Sequence, residues 1–183
     1  MMMFSPLPRR AGFAALTALT ALVSLASLVL PSGAARAQSV PTTFGTVIGN
    51  GLLCRDQTAN FYYYDYLLKA FGPAYKHDGG AFWFKTEGAN LWGTPVSEVM
   101  VSDDTSTYIF VGAVAEATPE ELEKAIIAQV GLHYARIDTS AFPVREAKPA
   151  SRIVYFDTKS KIYCAKYKPL PPVQPPAVRQ RLK

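Results

Sequence analysis

His77 and His133 are the two histidines of the chain, and Cys54 and Cys164 are its two cysteines. A histidine base needs a nucleophile to deprotonate and a third group to orient it. His77 lies in "YKHDGGA" beside Asp78, a polar, glycine-rich stretch that reads as a loop, and His133 reads as a strand-edge residue. Neither is accompanied by a nucleophile elbow. Zinc would need three or four convergent ligands, which no short His or Cys spacing supplies. We therefore expect no catalytic site, no metal site and no cofactor.

Carboxylates lead to the same expectation. Asp103-Asp104 falls between two predicted strands, where acidic side chains favour a turn, and Glu120, Glu121 and Glu123 stand at a helix start, where they suit the macrodipole. A glycosidase needs two carboxylates facing one cleft. Glu87 and Glu98, close in sequence to Trp83 and Trp92, could supply them with His77 nearby, so a hydrolase acting on a glycan or peptide is the alternative reading.

The cysteines point to structure. Residues 1–37 carry Arg9-Arg10, an apolar run from Ala11 to Leu30 and then Ala35-Arg36-Ala37, the three parts of a secretory signal cleaved after Ala37. In an oxidising compartment two thiols in one small domain usually pair, so a Cys54–Cys164 disulfide is expected, closing a long loop worth roughly 4–5 kcal/mol in the chain-entropy account. A periplasmic or secreted location follows from the leader, with no transmembrane span in the mature chain.

The formal net charge of +5 includes three arginines of the leader. The remaining excess sits at the C-terminal end, in Lys166, Lys168, Arg179, Arg181 and Lys183, and leaves a mildly acidic body. A nucleic-acid partner needs a basic face on the fold itself, and none is expected. Residues 169–183, "PLPPVQPPAVRQRLK", read as an extended, proline-rich basic tail. As a tether to anionic surface polymers, that tail supports a third reading, an envelope scaffold.

The elements that must position these groups lie in one domain, 38–168. "TPEELEKAIIAQVG" is a helix with Thr118 as N-cap, Pro119 in its first turn, Glu121 completing a capping box and Gly131 as the stop. A second helix is predicted from about Thr58 to Phe71, ended by Gly72-Pro73. "TVIGNGLLC", "GAFWFKTE", "PVSEVMVS", "STYIFVGAVAE", "LHYARID", "SRIVYFD" and "KIYCAKY" read as strands, rich in β-branched and aromatic residues. The order is one strand followed by two α-β-β-β units. We expect an α+β fold: an antiparallel sheet of about six or seven strands, two helices on one face, and the disulfide joining first strand to last.

"FYYYDYLLKAFG", residues 61–72, carries the functional reading. At 100° per residue, Phe61, Tyr64, Leu67, Leu68 and Phe71 share one arc, the natural core face, and Tyr62, Tyr63 and Tyr66 point away from it. Exposed tyrosines suit partner contact, since each offers apolar area and a hydroxyl at little entropy cost. Trp83 alternates with Phe82 and Phe84 and so faces the open side of the sheet, while Trp92 sits in a glycine-bounded turn. The expectation is an exported cell-envelope binding module, with an inhibitor or immunity-type role as one version. It engages a protein or glycan through Tyr62, Tyr63, Tyr66, Trp83 and Trp92.

Overall fold

The computed structural model describes residues 39–56 and 59–169. The predicted leader, Thr58 and the tail from residue 170 onward lie outside the described residues. Three helices are seen, α1 (Phe44–Leu52), α2 (Asn60–Phe71) and α3 (Pro119–Val130). With them are nine strands: β1 (Lys76–Asp78), β2 (Ala81–Lys85), β3 (Asn90–Leu91), β4 (Thr94–Ser102), β5 (Tyr108–Ala115), β6 (Ala135–Arg136), β7 (Arg145–Ala147), β8 (Ser151–Phe156) and β9 (Lys159–Tyr167). The sheet is antiparallel throughout, in the order β1-β2-β4-β5-β9-β8-β7-β6, with β3 paired to β4 as a short hairpin. The α+β class and the Cys54–Cys164 disulfide are as the sequence indicates.

The first predicted strand is in fact α1. Its valine, isoleucine and leucines suggest a strand, but Phe44, Ile48 and Leu52 recur every fourth residue and are all buried on one stripe. Gly49 and Gly51 cost helix propensity, and each is compensated by a close aromatic neighbour. A Cβ on Gly51 would stand 2.8 Å from the Tyr63 hydroxyl, and one on Gly49 would meet the Trp92 ring at 3.5 Å. The helix ends in a Schellman arrangement, with Cys54 N–H donating to the Gly51 carbonyl and Arg55 N–H to that of Asn50. Cys54 occupies the left-handed position, at φ 56°, where glycine is usual. The disulfide therefore ties the end of α1, rather than a first strand, to Cys164 in the middle of β9.

Residue alternation divides the sheet into two faces. Phe84 of β2, Val99 and Val101 of β4, Val111 and Ala113 of β5, Ile162 of β9 and Ile153 of β8 form one buried cluster with Ile48, Leu52, Leu67, Leu122 and Ile126 from the helices. A bulge between Val96 and Glu98 adds one residue to β4, so that both Val96 and Val99 reach this core. Ala81, Met100 and Val114 form a second, smaller cluster on the opposite face, with Trp83 and Phe110 packed against it. That cluster is made of strand residues alone. No helix among the described residues is long and apolar enough to cross a membrane.

The α3 prediction agrees in detail. The Thr118 side chain accepts from the Glu121 N–H, Glu121 reaches back to the Thr118 N–H, and Gly131 closes the helix at φ 70°. Two of the three acidic residues at its start have a further role. Arg145 on β7, 1% exposed, donates from Nε to Glu123 at 2.9 Å and pairs through Nη2 with Glu120, which also accepts from the Tyr155 hydroxyl. This buried guanidinium anchors α3 to the sheet.

Candidate functional site

The first tyrosine helix is turned by about one residue, roughly 100°, from the expected orientation. Tyr63 is 3% exposed and Leu67 fully buried, whereas Phe61 is 76% exposed and Leu68 37%. The cause is α1: the Tyr63 ring needs the space above Gly51, and the Tyr66 hydroxyl lies 3.1 Å from Thr43 Oγ1 just before that helix. Tyr63 is thus a core residue, and Tyr66 is half-buried against α1. Tyr62, 45% exposed with its ring edge on Tyr63, is the one predicted tyrosine left facing outward.

The two tryptophans are placed on different sides. Trp92 and Gly93 form the two-residue turn between β3 and β4, both at positive φ, the pattern of a type I′ hairpin. Its indole packs on Gly49 of α1, at the helix-covered core. Trp83 faces the other way, on the sheet face that no helix covers among the described residues, the helix-free face, as the alternation in β2 predicts.

The proposed hydrolase group is dispersed. His77 lies in β1, not in a loop, stacked on Phe82 at 4.2 Å, with Nε2 2.5 Å from Asp103. Asp103 also accepts from the Thr105 hydroxyl and from the Thr105 and Ser106 N–H groups. The Thr105 hydroxyl bond and then His77 hold its carboxyl down at about 2. Glu98 lies on the helix-free side, where it accepts from Tyr75 at 2.9 Å and pairs with Lys85. Glu87 is exposed in the turn after β2. These groups do not share a cleft. Among the described residues no group of three or more His, Cys, Asp or Glu is placed to hold a metal ion.

What the fold does assemble is the helix-free face. Pairing across the sheet puts Lys76, Trp83, Met100, Gly112, Tyr163, Arg152 and Glu146 in one row, with Lys85, Glu98, Val114, Lys161 and Val154 in the next. Gly112 is required at the centre: a Cβ there would stand 3.1 Å from Met100 Cγ and 3.4 Å from Tyr163 Cβ. A groove of about 500 Å³ lies over this surface, walled by Trp83, Phe110, Tyr108 and Tyr163. Tyr108, in the wall, lies against Tyr167, with ring centroids 4.7 Å apart and their hydroxyls 3.3 Å apart.

Its cations are mostly spoken for. Lys76 pairs with Asp78 at 2.9 Å, Arg152 with Glu146 at 2.6 Å, Lys159 with Glu116 at 2.6 Å, and Lys85 with Glu98. Lys161 makes no ion pair among the described residues. Its Nζ sits 4.2 Å from the Phe156 ring centroid and 5.2 Å from that of Trp83, and burial holds its pKa below the ordinary lysine value despite the field of Glu98. Ring faces attract a cation by their quadrupole but do not neutralise it.

Composition and motif do not single out Lys161, Tyr163 and Phe110, although the sequence carries a signal for two of them. In "KIYCAKY" period-2 alternation places Lys161 and Tyr163 opposite Cys164. A cysteine bonded inward therefore implies that these two face outward.

The chain matches no protein-family model, no curated protein and no solved structure.

Proposed function

We propose that the chain is an exported, non-catalytic binding module of a cell envelope, and that its helix-free sheet face is the surface that engages the partner. One observation carries this reading: the sheet face that no helix covers among the described residues bears Trp83, Phe110, Tyr108 and Tyr163 around an open groove. Aromatic side chains supply large contact area at little entropy cost, and they dominate binding energy where they line a pocket. The disulfide fits an oxidising compartment such as the periplasm or the exterior. Support for the α2 tyrosines as the adhesive surface is weaker, because Tyr63 and Tyr66 serve the packing of α1 on α2.

The test is retention of fractionated envelope glycans and proteins on the immobilised chain. Replacing Trp83 and Tyr163 together by alanine removes retention while thermal unfolding remains cooperative, and Tyr62→Ala leaves it unchanged. Retention insensitive to the pair but lost with Tyr62→Ala would return the binding role to α2.

A further inference from the structure

We infer that the groove on the helix-free face takes an acidic sugar, a hexuronate unit of an anionic glycan, whose carboxylate meets the Lys161 ammonium while its ring lies against Trp83 and Tyr163. This rests on the reading of that face as the binding surface, and names its ligand.

Charge supports an anion. Four of the face's cations, Lys76, Lys85, Lys159 and Arg152, each have a carboxylate partner, whereas Lys161 is half-buried between rings with none among the described residues. A partly desolvated charge without a counter-charge is costly, and a ligand carrying the missing anion recovers that cost on binding. Glu98 is near enough to influence Lys161 but is held by Lys85 and Tyr75. The groove is therefore short of one negative charge.

The same count argues against denser polyanions. With a single uncommitted cation among the described residues, the face fits a ligand bearing one carboxylate per ring better than a phosphodiester or polyphosphate chain, whose binding depends on many free lysines and arginines.

Topology argues against an acidic peptide. Extended peptides gain affinity by adding to an exposed sheet edge, yet β2, β4, β5, β9 and β8 beneath the groove are each paired on both sides. Recognition there must come from side chains, and flat rings beside a cation suit a compact ring bearing a carboxylate. The ammonium is also pre-positioned, since the Phe156 and Trp83 rings hold it before any ligand arrives.

The experiment is calorimetric titration of the purified chain with tetragalacturonate and with its neutral methyl ester, repeated with the glucuronate pair. The parent binds one of the acids at least tenfold more tightly than its ester. Lys161→Met, which keeps the aliphatic stem, reduces that preference to less than twofold at a melting temperature no lower than the parent's, and Lys161→Arg restores it. Equal affinity for acid and ester, or a preference that survives Lys161→Met, overturns the inference. So does tighter binding of hexaglutamate or oligothymidylate than of either uronate, or no binding of any of these oligomers. An ester bound as tightly as the acid, with both lost in Trp83→Ala, would remove the anionic ligand but leave the face as a binding surface. Undiminished envelope retention by the Trp83 and Tyr163 double variant would remove the surface itself.

Discussion

Lys161 Nζ lies 5.2 Å from the ring centroid of Trp83, although β4 and β5 separate the strands that carry them. At about 4.8 Å per strand, the two backbones stand about 14 Å apart. The side chains therefore lean towards each other across the strands carrying Met100 and Val114, both buried on this face. A sheet face with no helix over it among the described residues thus has a small apolar floor and a cation above it. The floor explains the burial of Met100 and Val114, but it supplies no counter-charge for Lys161.

The disulfide and the backbone of Cys54 make separable contributions. Closing the loop between residues 110 apart is worth about 4–5 kcal/mol in the chain-entropy account. A non-glycine residue in the left-handed region costs about 1–2 kcal/mol. Cys54→Ala with Cys164→Ala is expected to lower unfolding stability by about 2–5 kcal/mol. Cys54→Gly with Cys164→Ala should lose about 1 kcal/mol less, measured by urea denaturation. Equal losses would show that the backbone at residue 54 carries no strain.

Two glycines of α1 should respond in opposite ways to alanine. Gly51→Ala drives a methyl group into the Tyr63 ring and is expected to cost about 1–3 kcal/mol. Gly45→Ala meets nothing within 4 Å and is expected to be neutral or to stabilise by up to about 1 kcal/mol. Melting temperatures of the two variants check the assignment of α1 as a helix. A strand at this position would give no reason for the contrast.

Arg145 is the buried half of an ion-pair network whose carboxylates are partly exposed. Removing the partners of a buried charge is worse than removing the charge. Glu120→Gln with Glu123→Gln is therefore expected to cost about 2–3 kcal/mol, and Arg145→Met about 1 kcal/mol, read from denaturation midpoints at unchanged m-value. The reverse ranking would mean that Arg145 is reached by water.

Asp103 gives an acid dependence with a definite sign. Its carboxyl is held at about 2 against an ordinary 3.8, by the Thr105 hydroxyl first and then by His77. A depressed carboxyl pKa adds stability above the unfolded value that is lost as pH falls through the folded one. The parent's melting temperature is thus expected to drop between about pH 4 and pH 2, and Asp103→Asn to show a shallower drop over that window. Parallel curves for the two proteins would contradict this.

The sequence shows the α+β class, the disulfide, the capped helix α3 and the outward aim of Trp83, because each depends on local pattern or on composition. It hides α1, since Val47, Ile48 and two glycines resemble a strand when the aromatic rings that fill the glycine spaces are unknown. The phase of α2 depends on it: without a helix at residues 44–52, nothing in the sequence indicates that Tyr63 has a pocket at Gly51, and periodicity alone places the buried stripe about one residue away. The long-range polar partners are hidden for a similar reason. Arg145 finds Glu120 and Glu123, and His77 finds Asp103, across sequence separations that only the folded sheet closes. Lys161 becomes noticeable only when its neighbours prove to be paired elsewhere.

Hydroxyl-radical footprinting of the chain, with and without the envelope fraction it retains, distinguishes the helix-free face from α2 as the binding surface. Trp83, Tyr163 and Tyr108 are expected to become protected on binding while Phe61 and Tyr62 stay as reactive as in the free protein. Protection of Phe61 and Tyr62, with Trp83 and Tyr163 unchanged, would contradict it.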